Sequence, residues 1–279
     1  SPCWIVSAEY CDDKELGFLK SFTAGFLTTC GLKVAGAPCE YEGTFYGLHG
    51  NLSHIPAEEV SAVIEENGDS PCAVMKGKVR DAVIFGDKMC LEREIRCSYK
   101  ERKITLKDRV TNEGFKRVRQ MILYHCNIGY PVLSTDSEIF IPALETKARN
   151  VHAQEGIDSW MKVQEADADY EEMCYYHKLK PDEKNHSVAA VYNPDLDLGI
   201  AIEIDLSTLD HFVQWKMMGA GDYVMGLEPS NSTIDGIDDA VKNGSMKYLE
   251  PGETREYTLT FHILKGRKEF EELKKRTEK

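Results

Sequence analysis

The apolar positions of this chain recur mostly with a period of two. In residues 88–99, Met89, Leu91, Ile95 and Cys97 share a face, and in residues 103–112 Ile104, Leu106 and Val110 do the same, because side chains two apart in a strand point the same way. Residues 73–85 and 116–126 are also strand-like, and the four runs are separated by the short polar segments FGDK, YKERK and TNEGF, which are hairpin signals. Shorter strands are predicted over 173–179, 187–192, 199–205 and 257–264. Residues 212–215 and 223–227 read as two strands around the turn cluster Gly219-Ala220-Gly221-Asp222. Many short strands joined by hairpins predict an all-β fold, a large antiparallel β-sandwich with a few short helices. Two segments depart from that period. Residues 56–66 carry helix grammar, with Pro56 in the first turn, Glu58 and Glu59 near the start and Gly68 as a stop. Residues 268–279 read as a charged helix. Residues 15–30 fit helix and strand equally, 127–143 read as irregular, and 149–169 as an acidic loop.

Composition narrows the partners. The chain has 279 residues, with 47 acidic against 34 basic side chains and a net charge of −13. Such a chain is a poor ligand for nucleic acid or anionic lipid. No run of apolar residues approaches a membrane span. With no internal repeat and no low-complexity linker, residues 1–279 are read as one domain, monomeric or homodimeric. The first residue is serine rather than methionine, which points to a processed or trimmed chain. The cysteines number nine and none forms a C-x-x-C pair. Reduced, buried thiols in a cytoplasmic protein are therefore expected, without a metal site.

The polar residues inside apolar runs carry the candidate chemistry. Glu228 closes an apolar strand just before Pro229, beside Gln214 and Trp215 on the preceding strand. A flat indole with an amide and a carboxylate nearby suits a sugar, whose C–H face covers the ring while its hydroxyls meet the polar groups. Asp108 falls on the same apolar face as Leu106 and Val110, so it needs a buried partner, which its neighbour Arg109 cannot supply from the other face. His125 lies where a strand breaks into Gly129-Tyr130-Pro131, and His49 lies between Leu48 and Gly50 in a glycine-punctuated loop. Two such histidines and a glutamate make a general acid/base set. The chain has no G-x-S-x-G, G-x-G-x-x-G, P-loop or H-E-x-x-H.

Several of these residues occur together in one order. They are Leu48-His49-Gly50 with Pro56-Ala57; Asp108-Arg109-Val110-Thr111-Asn112; Tyr124-His125-Cys126-Asn127 running into Ile128-Gly129-Tyr130-Pro131; Gln214-Trp215-Lys216-Met217-Met218; Gly226-Leu227-Glu228-Pro229-Ser230-Asn231; and 249–253. As a set they resemble the DUF4432 branch of the aldose 1-epimerase (galactose mutarotase-like) superfamily, over roughly residues 15–265. The resemblance implies a large β-sandwich with a sugar site on one concave face. It implies interconversion of the α and β anomers of a free monosaccharide, without cofactor or metal. In that scheme Glu228 is the base, His125 the acid and His49 a second histidine that holds the sugar. Gln214, Trp215, Asn51, Asn127 and Lys216 are the implied substrate-binding residues. The acid and base are expected about a sugar ring's width apart.

The sequence also departs from that branch. An arginine usually follows the His-Gly pair, where this chain has Asn51, and another follows the glycine after the Glu-Pro motif, where it has Ile237. Both changes remove bidentate donors. They leave open another substrate, a different sugar isomerase, or a carbohydrate-binding protein without turnover. The branch also carries strands upstream of the region matching Ser1, which implies that this chain lacks them.

Overall fold

A computed structural model describes residues 14, 16–22, 25–66 and 70–278. The strands are β1 (Leu27–Leu32), β2 (Cys39–Tyr41), β3 (Thr44–Tyr46), β4 (Glu58–Glu65), β5 (Cys72–Ala82), β6 (Lys88–Ser98), β7 (Lys103–Asn112), β8 (Val118–Gly129) and β9 (Glu138–Phe140). The second half contributes β10 (Ala143–Ala148), β11 (Met173–Leu179), β12 (His186–Asn193), β13 (Leu198–Asp205), β14 (His211–Met218), β15 (Tyr223–Ser230), β16 (Lys247–Leu249) and β17 (Thr254–Lys265). Among the described residues three α-helices join them: α1 (Val151–Glu155), α2 (Ile237–Lys242) and α3 (Arg267–Glu278). The alternation of apolar residues is thus realised as an antiparallel, mainly β fold.

Two large sheets face each other. The first runs β1-β8-β15-β14-β11-β10, with β16 joined to β8, and the second runs β4-β5-β6-β7-β17-β13-β12-β9. Between them Ile122, Tyr124, Cys126, Met225 and Leu227 of the first sheet pack on Met89, Leu91, Leu106, Val110 and Leu259 of the second. Burying these side chains is what holds the sheets together. The opposite face of the first sheet is also covered. There Met121, Leu123 and Val213 meet Phe18, Val34, Ile234 and Ile237, which come from excursions outside both sheets. The first sheet is therefore buried on both sides, and alternate residues of one strand serve two different environments.

Asp108 has the buried partner its position demands. The carboxylate is fully buried and takes two bonds from Arg93, from Nε at 2.8 Å and Nη2 at 2.6 Å. The Tyr124 hydroxyl donates to it at 2.8 Å, and Arg93 Nη2 also donates to Thr29 at 2.7 Å. Arg93 stands opposite Asp108 in the β6–β7 register, so both fall on the inner face, and the network ties the two sheets together.

Some elements differ from the sequence expectation. Residues 56–66 form no helix: Glu58–Glu65 is strand β4, paired with β5 from Ser61↔Lys76 to Glu65↔Cys72. Val60, Val63 and Ile64 suit a strand, and pairing with β5 overrides the capping signals. A register shift between Glu58 and Ser61, with Glu59 at φ 51°, marks a bulge, and the glutamates of this edge strand discourage further pairing. The segment 149–169 contains helix α1, capped by Asn150 accepting from the Ala153 N–H, and the 3-10 turn Ile157–Ser159. Strand β8 continues through Gly129, beyond the predicted break. Residues 15–30 divide into a 3-10 turn, Gly17–Lys20, and strand β1. The tail helix is present as α3. Cysteines 30, 39, 72, 90, 97, 126 and 174 are all free thiols. Cys97 is exposed rather than buried, and Cys3 and Cys11 lie outside the described residues.

Candidate active site

The site forms on the face of the first sheet that looks away from the second. Strands β8 and β15 are neighbours with Leu227↔Cys126 and Ser230↔Leu123 in register. That register sets Glu228 opposite His125. Glu228 is not the last residue of its strand, since β15 runs on through Pro229 to Ser230. Between those two pairs the ladder to β8 opens, at a place where Pro229 has no N–H to give. Glu228 is 2% exposed and His125 5%. His125 Nε2 lies 3.1 Å from Glu228 Oε1, yet the alignment leaves Glu228 Oε1 without a hydrogen bond. His125 Nδ1 and Asn127 Oδ1 are likewise buried without partners. Unpaired buried polar atoms are costly, and these three lie within two strand positions, with the Asn127 side chain close enough to His125 to oppose the fall of its pKa.

Three rings border His125. Trp215 lies 5.3 Å away, His49 5.6 Å and Phe22 5.5 Å, measured between ring centroids. His49 sits at φ 60° and is held by its backbone, whose N–H donates to Gly36 O at 2.8 Å and whose carbonyl accepts from Gly31 N at 3.1 Å. Its Nδ1 accepts from the Gly36 N–H at 3.2 Å. A neutral imidazole accepting at Nδ1 carries its proton on Nε2, so His49 is a fixed donor. Trp215 pairs with Gly226 in the β14–β15 register, and its Nε1 donates to Glu172 at 2.7 Å.

The protonation states follow from burial. Burial raises the Glu228 carboxyl to about 8, with the Glu172 charge adding to the rise and Arg149 opposing it. Burial lowers His125 to about 4 and His49 to about 3, with His125 and Arg149 lowering the latter further. At neutral pH the pair therefore holds one proton, resting on the carboxyl.

Of the residues picked out from sequence, the structure brings together His49, His125, Glu228, Trp215 and Asn127. The Asn127 Nδ2 donates to Gly25 O at 3.0 Å. Asn51 lies two residues beyond His49, starting the 3-10 turn Leu52–His54. Gln214 and Lys216 do not belong to the site. Strand alternation puts them on the inner face, where both are fully buried. Gln214 Nε2 donates to Trp160 O at 3.0 Å and its Oε1 lies 3.2 Å from His177 Nε2. Lys216 Nζ donates to Lys162 O at 2.7 Å and Ser159 O at 3.3 Å, and burial lowers its pKa to about 8. Both pin the 157–162 segment under the sheet. The ring-width separation of His125 and Glu228 is also replaced by direct contact. Ile237, where the related branch has arginine, is fully buried in the outer apolar cluster.

Sequence reasoning missed Arg149, which lowers both His49 and Glu228 and is held by Asp235 at 2.6 Å. It missed Phe22 as well. Neither sits in a motif, and only the folded register brings them to the pair. Among the described residues no group of three His, Cys, Asp or Glu side chains is arranged to hold a metal ion.

Residues 1–263 match the family described as a domain of unknown function, DUF4432. The fold is galactose mutarotase-like. A candidate aldose 1-epimerase from Klebsiella pneumoniae superimposes with a TM-score of 0.94 at 25% identity, over 100% of this chain and 73% of that one. A galactose mutarotase-like protein from Clostridium acetobutylicum has a TM-score of 0.61 at 12% identity, over 86% of this chain and 79% of that one. Galactose 1-epimerase from Lactobacillus acidophilus has a TM-score of 0.58 at 10% identity, over 96% and 84%. No curated protein matches the chain.

Proposed function

We propose, from the premise that the chain belongs to the DUF4432 family, that it is an aldose mutarotase, catalysing exchange between the α and β anomers of a free monosaccharide at His125 and Glu228. The observation that supports this best is a buried carboxyl and imidazole 3.1 Å apart, with unsatisfied polar atoms around them. Anomerisation needs one base and one acid at the same moment. One member of the pair takes the proton of the anomeric O1–H as O1 becomes the carbonyl oxygen. The C1–O5 bond breaks, and the other member protonates O5. After rotation about C1–C2 the carbonyl presents its other face. The O5 hydroxyl then gives its proton back and attacks C1, and O1 is reprotonated. Each group thus both gives and takes a proton in a cycle, and a pair with one proton always offers one of each.

The contact distance fits this chemistry. O1 and O5 are both bonded to C1, so groups that address them belong side by side rather than across a ring. His49, with its proton fixed on Nε2, supplies a hydrogen bond to a sugar oxygen, and Trp215 offers an apolar ring face. Anomer-resolved NMR of freshly dissolved α-aldoses tests the proposal. A panel member that equilibrates faster with protein than in buffer supports it. Saturable binding with no acceleration for any sugar assigns the chain to the non-catalytic carbohydrate binders instead.

A further inference from the structure

The acid–base pair is closed off in this structure. His125 and Glu228 are 5% and 2% exposed, so no sugar can touch them until something that covers them moves. The three rings around His125 differ in how firmly they are held. His49 is tied to Gly31 and Gly36 through its backbone and through its imidazole. Trp215 lies inside a strand paired on both sides, to β11 and β15, and its indole is bonded to Glu172. Phe22 belongs to neither sheet. It follows the 3-10 turn Gly17–Lys20, whose Phe18 ring meets His49, and precedes β1.

That turn is held by side chains rather than by a sheet ladder, with Phe18 4% exposed in the outer apolar cluster. Phe18 packs edge-on against His49 and His54, with centroids 5.0 and 5.5 Å apart, and against Phe22 at 5.2 Å. Ser21 Oγ lies 2.5 Å from His54 Nε2. Leu16 and Leu19, on the outside, are 55% and 58% exposed. The chain is anchored again at Gly25 and Phe26, whose carbonyls take the Asn127 side-chain and backbone N–H groups.

We infer that residues 16–22 form a strap whose Phe22 ring seals the His125–Glu228 pair in the free protein, and that a sugar reaches the pair only when this strap lifts; the inference rests on the sugar-site reading of the same pair. The Ser21–His54 contact is its latch. The closed strap explains why polar atoms of His125, Glu228 and Asn127 stay unpaired: their partners are hydroxyls that arrive only after opening. Phe22 is in this account a positioning residue that controls access and water exclusion, rather than a catalytic one.

Access can be read without any turnover. Diethyl pyrocarbonate modifies neutral imidazole, and His125, held low by burial, is neutral at pH 6.5, so only shielding limits its reaction. The rate at His125 is followed by peptide mass spectrometry, with the more accessible His186 on β12 as the internal reference. In wild type His125 should react far more slowly than His186. In Phe22→Ala the His125 rate should rise by about tenfold or more, as expected when a minor open state becomes the main one, while His186 is unchanged. Ser21→Ala should move His125 the same way by a smaller factor, and it serves alone if Phe22→Ala does not fold. Equal His125 rates in wild type and the folded variants, or a parallel rise at His186, would overturn the strap. Because the readout is chemical modification, a protein that proves inactive toward every sugar would remove the mutarotase reading while leaving the access result intact.

Discussion

Glu228 pairs with Val213 of β14 and stands opposite His125 of β8, so its carboxyl meets the imidazole at 3.1 Å on the outer face of the first sheet. The neighbouring residue Gln214 points to the other face. This alternation separates the proposed acid–base pair from the residues that hold the scaffold, and it sets the predictions below.

The first concerns pH. The active form holds one proton on the pair, so kcat/KM for anomerisation should be bell-shaped. Its acid limb should fall near 4, where His125 gains a second proton, and its alkaline limb near 8, where Glu228 loses the last one. Initial rates of anomer exchange across pH 3–10 check this. An alkaline limb near 6.5 in place of 8, with the acid limb near 4.3, would show instead that neither group is shifted by burial.

Stability carries the same signature. Glu228 is raised from an unfolded value of about 4.3 to about 8 in the fold. The stability linked to it is complete below the unfolded value and is lost as pH rises through 8. His125 moves the other way: its share is complete above about 6.5 and is lost as pH falls toward 4. Lys216, lowered to about 8, titrates over pH 7–9 as well and moves stability the opposite way, so the Glu228 share is read as a difference between proteins. From pH 7 to pH 9 the stability of wild type should change by roughly 1 kcal/mol more in the unfavourable direction than that of Glu228→Gln.

Arg93 is predicted to be structural. Arg93→Leu leaves Asp108 buried with only the Tyr124 hydroxyl, and should cost about 3–5 kcal/mol in urea unfolding. Replacing Asp108 by Leu in the same chain should recover part of that loss, since the stranded charge is then gone.

Gln214→Leu separates the two faces of β14. It strips partners from His177 and from Trp160 O, and should cost about 1–3 kcal/mol of stability. Its kcat for anomerisation should stay close to wild type. A large loss of kcat with unchanged stability would place Gln214 in the sugar site after all.

Much of this was legible in the sequence because a period of two is a local signal. The strands, the inward Asp108 and the tail helix sit in local patterns, and Glu228 and His125 each sit in a motif, but their direct contact took the place of the expected ring-width separation. What failed has physical reasons. Residues 56–66 have the punctuation of a helix, but β5 offers a ladder for Glu58–Glu65 that no local rule contains. Gln214 and Lys216 stand in the same motif as Trp215, yet a motif does not say which face each member takes; alternation from Val213, the partner of Glu228, would have shown it. Arg149 and Phe22 reach the site only through long-range packing, and nothing in their neighbours marks them.

The most direct test is the turnover of Glu228→Gln, measured by anomer-exchange NMR on the sugar that wild type accelerates most. The substitution keeps the shape of the side chain and removes its proton chemistry. The kcat is expected to fall by roughly 10²–10⁴-fold, while titration still shows sugar binding close to wild type. A folded Glu228→Gln protein that turns over like wild type would contradict the assignment of catalysis to the His125–Glu228 pair.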